Sequence, residues 1–370
     1  MKQIIHWLND SKYTEPLSPS CKLCAEGAEL VLLITGNCPA HCFYCPLSKK
    51  KLGRDVIYAD EWKLDNEDDT NKILKEAEYI EAKGAGITGG DPLVVWKRTK
   101  RYISLLKEQF GNDFRIHLYT SGLKESEHIP DIISAGLDEI RFHPAPKSWS
   151  NMESSPVKKS IHIALNEDVD VAIEIPSIPG MEKEMFSLIE WANEQGVRWV
   201  NLNELEFSET NTTQLMKRGF DVKDDVSAAA KGSEEAAYYI LENVSKKAFD
   251  IGVHYCSSSF KDGIQLRNRI KRRAKNVAKP HELITDEGTL IKGIILSRRL
   301  SLQTVEKLKQ QFNIPDKLIS FDKEKNRIEI AGWLLEEISS KLKNEGFECY
   351  IVEEYPTADR LEVERIPLHF

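Results

Sequence analysis

The sequence predicts an α/β protein, a parallel sheet whose strands alternate with helices, followed by a smaller α+β unit. Two observations predict it. Between about residues 30 and 256, short apolar runs alternate with longer amphipathic runs that carry readable end signals. After about Asp286 the order of elements changes to β-α-β-β-α-β. A strand followed repeatedly by a helix implies parallel strands joined by right-handed crossovers.

Strands are expected over 30–35, 86–88, 115–120, 139–143, 171–175 and 198–202, with a seventh over 253–256. The helix over 71–83 takes Thr70 as cap and Gly84 as stop, and Glu67, Asp68 and Asp69 place negative charge at its N-terminus. A helix over 97–110 ends at Gly111, and Ser155-Pro156 opens one that runs to Asn166, with proline at the first position. Helices over 182–195 and 234–249 end at Gly196 and near Gly252. The turns Gly89-Gly90-Asp91 and Ser121-Gly122 fall at C-terminal strand ends, where α/β folds place their active sites.

The tail reads as strand 289–296, helix 302–312, strands 317–321 and 327–330 across the turn 322–326, helix 333–344 and strand 348–352. That order is the ferredoxin-like pattern. Residues 361–368 add an edge strand, the place in a sheet where Pro367 is tolerated. The expected domains are therefore a lead over 1–28, a sheet domain over 29–285 and a ferredoxin-like domain over 286–370.

The 370 residues are 41% hydrophobic and 30% charged, a composition that builds a sizeable core. The net charge of −8 gives no global basic field for nucleic acid. The first ten residues lack a signal-peptide core, and no run approaches the ~18 apolar residues of a membrane span. The seven cysteines, at 21, 24, 38, 42, 45, 256 and 349, are odd in number and closely spaced, which suits a reducing cytoplasm and metal binding.

The densest chemistry is Gly36-Asn-Cys38-Pro-Ala-His-Cys42-Phe-Tyr44-Cys45-Pro46, directly after the first strand. Three thiolates within eight residues can meet on one soft metal centre, one ligand short of a closed tetrahedral site. On a [4Fe–4S] cluster, three cysteines leave one iron open. A zinc knuckle with a distant fourth ligand is the competing reading. The spacing C-x3-C-x2-C, with an aromatic before the last cysteine, resembles the radical S-adenosylmethionine (SAM) superfamily, and within it archaeal proteins related to pyruvate formate-lyase activating enzyme. The resemblance implies a partial (βα)6 barrel. It also implies a [4Fe–4S] cluster on Cys38, Cys42 and Cys45, SAM chelated to the open iron, and reductive cleavage of SAM to a 5′-deoxyadenosyl radical.

Further residues follow from the same resemblance. Gly89-Gly90-Asp91-Pro92 stands where the family holds SAM's amino group, with aspartate where glutamate is commoner. Thr120-Ser121-Gly122 resembles a signature in which Ser121 hydrogen-bonds SAM; a plain turn fits it equally. Arg141 and His143 alternate to one strand face, and the family places polar residues there near SAM. Glu174-Ile175-Pro176 precedes a Pro-Gly turn, so Ile175 lines the adenine or belongs to the core. Tyr44 packs beside the cluster or shields it from water. Asn201, Asn203 and Glu204, at the sixth strand end, are candidates for substrate contact, against a solvated loop exit.

Cys21-x2-Cys24 precedes the first strand, and His254 and Cys256 share one face of the seventh. Together they offer a second metal site, zinc or an auxiliary Fe–S cluster, against an unliganded thiol pair. The run from Arg267 to Lys279 has seven basic residues and no acid, a basic amphipathic helix that is either solvated or an RNA contact. The expectation is a cytoplasmic radical SAM enzyme fed by a donor such as ferredoxin or flavodoxin. Its substrate is a glycyl-radical protein, RNA or a small molecule. The alternative is a non-catalytic binding protein stabilised by zinc or iron–sulfur.

Overall fold

A computed structural model describes residues 2–225 and 227–368. The chain divides into two compact units, Met1–Leu266 and Arg267–Phe370.

The first unit opens with β1 (Ile4–His6), β2 (Lys12–Thr14), α1 (Pro19–Ala25), β3 (Glu29–Leu33), β4 (Tyr58–Ala59) and β5 (Trp62–Lys63). It continues with α2 (Thr70–Tyr79), β6 (Gly84–Thr88), α3 (Trp96–Phe110), β7 (Arg115–Thr120), α4 (Ile129–Ile133), β8 (Glu139–Phe142) and α5 (Lys158–Leu165). It closes with β9 (Asp170–Ser177), α6 (Glu182–Gln195), β10 (Trp199–Glu204), α7 (Thr212–Lys217), α8 (Ser233–Ser245), β11 (Gly252–Cys256) and α9 (Ser258–Phe260). One sheet runs β1-β2-β11-β10-β9-β8-β7-β6-β3-β4-β5. From β11 to β3 every pairing is parallel, and the outer hairpins are antiparallel. All seven expected parallel strands are present.

The two faces of this sheet differ in kind. Ile116, Leu118, Ile140, Phe142, Ile173, Ile175, Val200, Leu202, Val253 and Tyr255 belong to one apolar core. The residues alternating with them, His117, Tyr119, Glu139, Arg141, Glu174, Asn201, His254 and Cys256, crowd the opposite face with polar and ionisable groups. A parallel sheet covered on both sides normally reads as near-continuous apolar runs. Here the face without that apolar filling carries the chemistry.

Some helix ends depart from expectation. The helix expected over 71–83 stops at Tyr79, because Gly84 opens β6 instead of closing a helix, and Thr70 lies inside the helix behind Asp69, which makes no side-chain cap bond. The short helix α1 begins with Pro19, and Ser18 Oγ accepts a hydrogen bond from the Ser20 N–H.

The second unit comprises α10 (Arg267–Val277), β12 (Leu283–Ile284), β13 (Leu290–Leu296), α11 (Leu302–Phe312), β14 (Ile319–Asp322), β15 (Arg327–Ile330), α12 (Gly332–Asn344), β16 (Glu348–Glu354) and β17 (Glu362–Pro367). Its antiparallel sheet runs β14-β15-β13-β16-β17, with β12 on β13. One side holds the apolar cluster of Ile295, Val305, Leu308, Ile328, Leu335 and Leu342. The other holds the fully buried Lys292, whose Nζ lies 2.6–2.9 Å from Glu282, Glu329 and Glu354. Arg327 bridges Glu329 and Glu354 at 2.7 and 2.6 Å. Buried charges are tolerated when paired in this way.

The basic run forms α10, but it does not present an open cationic surface. Arg273 is buried and donates to the Pro356 carbonyl, Arg267 pairs with Glu287 at 2.8 Å, and of the seven basic residues only Lys275 and Lys279 are exposed. The stripe is amphipathic because Ile270, Arg273 and Ala274 pack inward.

Candidate active site at the strand ends

The cysteine loop leaves β3 and is fixed at its base by backbone. Gly36 N–H donates to the Arg54 carbonyl at 2.7 Å, and Gly53 N–H donates to the Gly36 carbonyl at 2.9 Å. A Cβ on Gly36 would stand 1.7 Å from the Lys51 carbonyl oxygen, so only glycine permits this closure. Cys38, Cys42 and Cys45 are free thiols, each partly exposed.

The Gly89-Gly90 turn meets this loop and not empty space. Gly90 N–H donates to the Thr35 carbonyl at 2.6 Å, and Asp91 N–H donates to the Asn37 carbonyl at 2.8 Å. A Cβ on Gly90 would lie 2.2 Å from the Asn37 oxygen. The glycines therefore let the first and second strand ends dock backbone to backbone.

Asp91 is buried, and its carboxylate is fully engaged. Oδ1 accepts from Leu93 N–H at 3.1 Å and Thr120 Oγ1 at 2.7 Å, while Oδ2 accepts from Ser121 N–H at 3.2 Å and from the Ser121 hydroxyl. Burial raises its pKa against the pull of these donors. The expected side-chain contacts of Asp91 and Ser121 with a ligand are thus spent on each other, and only the backbone of this turn stays available.

Tyr44 and His143, which the sequence assigned to separate contacts, come together. The Tyr44 phenol and His143 Nε2 are 2.8 Å apart, and burial lowers the imidazole's pKa. Burial raises the Tyr44 phenol well above its ordinary value, so it remains protonated and shares a hydrogen bond with a neutral ring, whose tautomer sets the direction.

Five expected contact residues are differently employed. Ile175 is buried in the apolar core, because Glu174 and Asn201 set the polar face and Ile175 alternates away from it. Every nitrogen of Arg141 is used: Nε to Glu139 at 2.7 Å, Nη1 to Glu174 at 3.0 Å and Tyr119 at 3.3 Å, Nη2 to Ser18 at 3.3 Å and Cys21 Sγ at 3.5 Å. Asn201 and Asn203 donate to the two Glu174 oxygens at 3.1 and 2.7 Å. Glu204 alternates to the other face, where it accepts from Ser258 N–H at 2.8 Å and Oγ at 2.6 Å. Glu174 is thus a hub that the sequence reading passed over. Burial would raise its pKa, but Arg141 and the two amides hold it below its ordinary value.

The sequence reading also missed the clasp on the far side of the cysteine loop. Asn211 Nδ2 donates to the Tyr44 carbonyl at 3.0 Å, and Thr210 Oγ1 to the Leu47 carbonyl at 2.8 Å. No sequence pattern announced it: Asn211 precedes α7, and the reach of its Nδ2 to Tyr44 depends on the fold.

The thiol set fits a cluster better than a single ion. Sulfurs around one zinc sit ~3.8 Å apart, from Zn–S bonds of ~2.3 Å. The three sulfurs do not form a set within 4.8 Å of one another; among the described residues only Glu125, Glu127 and His128, and His281, Glu282 and Glu329, do. Burial pushes the Cys38 thiol up to about 11 and raises Cys42, so deprotonation must come from the metal itself. Cys21, Cys24, His254 and Cys256 lie on or against the polar face, with Cys21 Sγ 3.5 Å from Asn201 Nδ2. Burial takes the His254 pKa down to about 3. Two surface clefts lined by Arg198, one of them also by Asp170, open at the opposite, N-terminal strand ends. No helix among the described residues is long and apolar enough to cross a membrane.

Residues 32–203 match the radical SAM superfamily, and residues 288–368 match a domain of unknown function, DUF8061. A protein of Methanocaldococcus jannaschii named "Putative glycyl-radical enzyme activating enzyme" is 40% identical over 363 residues, 96% of this chain and 93% of the relative. Streptococcus suis SuiB bound to S-adenosylmethionine has a TM-score of 0.43 at 11% identity, covering 62% of this chain and 50% of that one. The radical SAM methyltransferase TsrM of Kitasatospora setae has a TM-score of 0.38 at 9% identity, covering 67% and 54%. This chain spans about half the length of those two proteins, and likeness at that level says nothing of its substrate.

Proposed function

Because this chain belongs to the radical SAM superfamily, we propose that it abstracts hydrogen from the backbone of a glycyl-radical protein. It is an enzyme, and its cofactors are a [4Fe–4S] cluster and SAM. The observation that carries the substrate class is the 40% identity over almost the whole length of the archaeal relative, whose name states that role. When bound, the cluster supplies the electron that cleaves SAM to methionine and a 5′-deoxyadenosyl radical.

The chain's own residues do the positioning. Cys38, Cys42 and Cys45 would hold the cluster, on a loop docked against Gly89-Gly90 on one side and clasped by Thr210 and Asn211 on the other. The backbone of Gly89 and Gly90 would meet SAM's amino group, while Asp91 and Ser121 brace that turn from behind. Tyr44 and His143, locked as a neutral pair, would border the SAM pocket. Arg141, Glu174, Asn201 and Asn203 form the floor below it. We read the first unit as a partial (βα)6 barrel extended by β11. We read the second as ferredoxin-like, because its sheet order is β16-β13-β15-β14 with helices after the first and third strands. A ferredoxin or flavodoxin is the electron donor on this reading.

The test mixes the anaerobically reconstituted enzyme, SAM and dithionite with a glycyl-radical protein from the same genome. A protein-based glycyl radical in the electron paramagnetic resonance spectrum supports the reading. SAM cleavage without any such radical sinks the substrate assignment and leaves the radical chemistry standing.

A further inference from the structure

A second group of soft ligands lies on the polar face, outside the three-cysteine loop. The Cys-x-x-Cys helix α1 packs against β3, β6 and β7, and it brings Cys21 within 3.5 Å of both Arg141 Nη2 and Asn201 Nδ2. Cys24 is near enough to Cys21 and Cys256 for charge on one to act on the others. Cys21 and Cys256 are buried, and Cys24 is partly exposed. Three thiols from two separate elements thus occupy one neighbourhood, with the Arg141 guanidinium beside Cys21 to offset thiolate charge.

His254 supplies the independent observation. It lies two residues before Cys256 on β11, so both face the same side. The Ser11 hydroxyl has one hydrogen, and it donates that hydrogen to the Tyr255 carbonyl. Ser11 Oγ, 3.1 Å from His254 Nε2, must therefore accept from the imidazole N–H. This fixes the tautomer: Nε2 carries the proton and Nδ1 a lone pair. That Nδ1 is buried and has no hydrogen-bond partner among the described residues. Such an orphaned acceptor is costly unless something fills it. A metal-binding histidine donates its other ring N–H to an acceptor that fixes the tautomer, and Ser11 Oγ stands in that place here.

We propose that Cys21, Cys24, Cys256 and His254 Nδ1 form a second, thiolate-rich metal centre, taking zinc or an iron–sulfur cluster. Binding displaces the three thiol protons to solvent, and metal–sulfur bonds replace the S–H bonds; zinc binds with no change in oxidation state, and a cluster does so when its iron is supplied as the ferrous and ferric ions it contains. The four donor atoms are not a set within 4.8 Å of one another. No three of them are, so a tetrahedral zinc, whose sulfurs sit ~3.8 Å apart, would require more than one of these side chains to move. A polynuclear cluster takes sulfurs set wider. The proposal does not rest on the SAM chemistry.

The test uses the full-length Cys38→Ala/Cys42→Ala/Cys45→Ala protein, checked for folding by circular dichroism, so that the first centre is gone. One portion is reconstituted anaerobically with ferrous iron, ferric iron and sulfide, another loaded with zinc alone, and bound metal and sulfide are measured. Stoichiometric metal in either arm, lost when Cys21→Ser and Cys256→Ser are added, supports the site, and the arm that retains it identifies the metal. Ser11→Ala should weaken metal affinity roughly 10–100-fold by freeing the tautomer. A folded triple variant that holds no metal in either arm overturns the proposal. So does metal that survives loss of Cys21 and Cys256, and unchanged affinity in Ser11→Ala removes His254 from the ligand set.

Discussion

The Tyr44 phenol lies 2.8 Å from His143 Nε2, tying the cysteine loop to the end of the fourth parallel strand. One hydrogen bond therefore couples the three-cysteine loop to the end of β8. Tyr44→Phe removes it while keeping the ring. The expected result is wild-type iron content with 5′-deoxyadenosine formation slowed roughly tenfold, the worth of about 1–1.5 kcal/mol. An unchanged rate would show that the pair is merely packing.

Gly90→Ala should act on the loop itself. The added Cβ would fall 2.2 Å from the Asn37 oxygen, and backbone cannot yield cheaply there. Iron and sulfide retained after anaerobic reconstitution should drop to a small fraction of wild type, with the far-ultraviolet dichroism unchanged. Full cluster loading would contradict the docking role given to this glycine.

Asp91→Asn replaces one oxygen, which accepts two hydrogen bonds, with an amide that donates. At least two of the donors from Leu93, Thr120 and Ser121 then lose their acceptor in a buried position. A loss of about 2–3 kcal/mol is expected in the first unit's unfolding free energy, read from denaturant titration. A shift below about 0.5 kcal/mol would mean that the carboxylate is not the brace described.

Much of this was legible in the sequence. All seven parallel strands and the exact span Glu182–Gln195 follow from periodicity and glycine stops. The three-cysteine loop and the Gly-Gly turn at the next strand end follow from motif spacing, whereas the Tyr44–His143 contact does not. What escaped depends on pairing across the fold. Glu174 becomes a hub only because β8, β9 and β10 set Arg141, Asn201 and Asn203 around it. Asp91 looked available to a ligand because its four donors come from residues up to thirty positions away. Thr210 and Asn211 reach the loop from more than 160 residues downstream. The register of Glu204 misled for the opposite reason: it adjoins Asn203 in sequence, but alternation turns it to the other face.

The polar face predicts a pH dependence. Glu139 is fully buried; burial would raise its pKa, but Arg141, with His117, Ser18 and Arg115, holds it down to about 2 against an ordinary 4.5. A depressed carboxylate stabilises the fold above its unfolded pKa, and that stability fades as pH falls from about 4.5 to about 2. The full contribution is about 3 kcal/mol. In Glu139→Gln the unfolding free energy should be lower at neutral pH and should change less between pH 5 and pH 3. An equally steep acid limb in the variant would assign that limb to other groups.

In the second unit, Lys292→Met leaves Glu282 and Glu354 facing one another in a buried site without their shared cation. A destabilisation of about 3–5 kcal/mol at neutral pH is expected, as for a buried ion pair stripped of one partner. Lowering the pH should narrow the difference from wild type, because protonated glutamates no longer need the lysine. A gap that widens in acid would refute the network's role.

The central claim is that the three-cysteine loop generates the radical chemistry, and one comparison tests it most directly. Wild type and Cys42→Ala are reconstituted anaerobically, supplied with SAM and dithionite, and assayed for 5′-deoxyadenosine by chromatography. The wild type should produce it and the variant should produce none above the protein-free control. Equal production by both proteins would contradict the assignment.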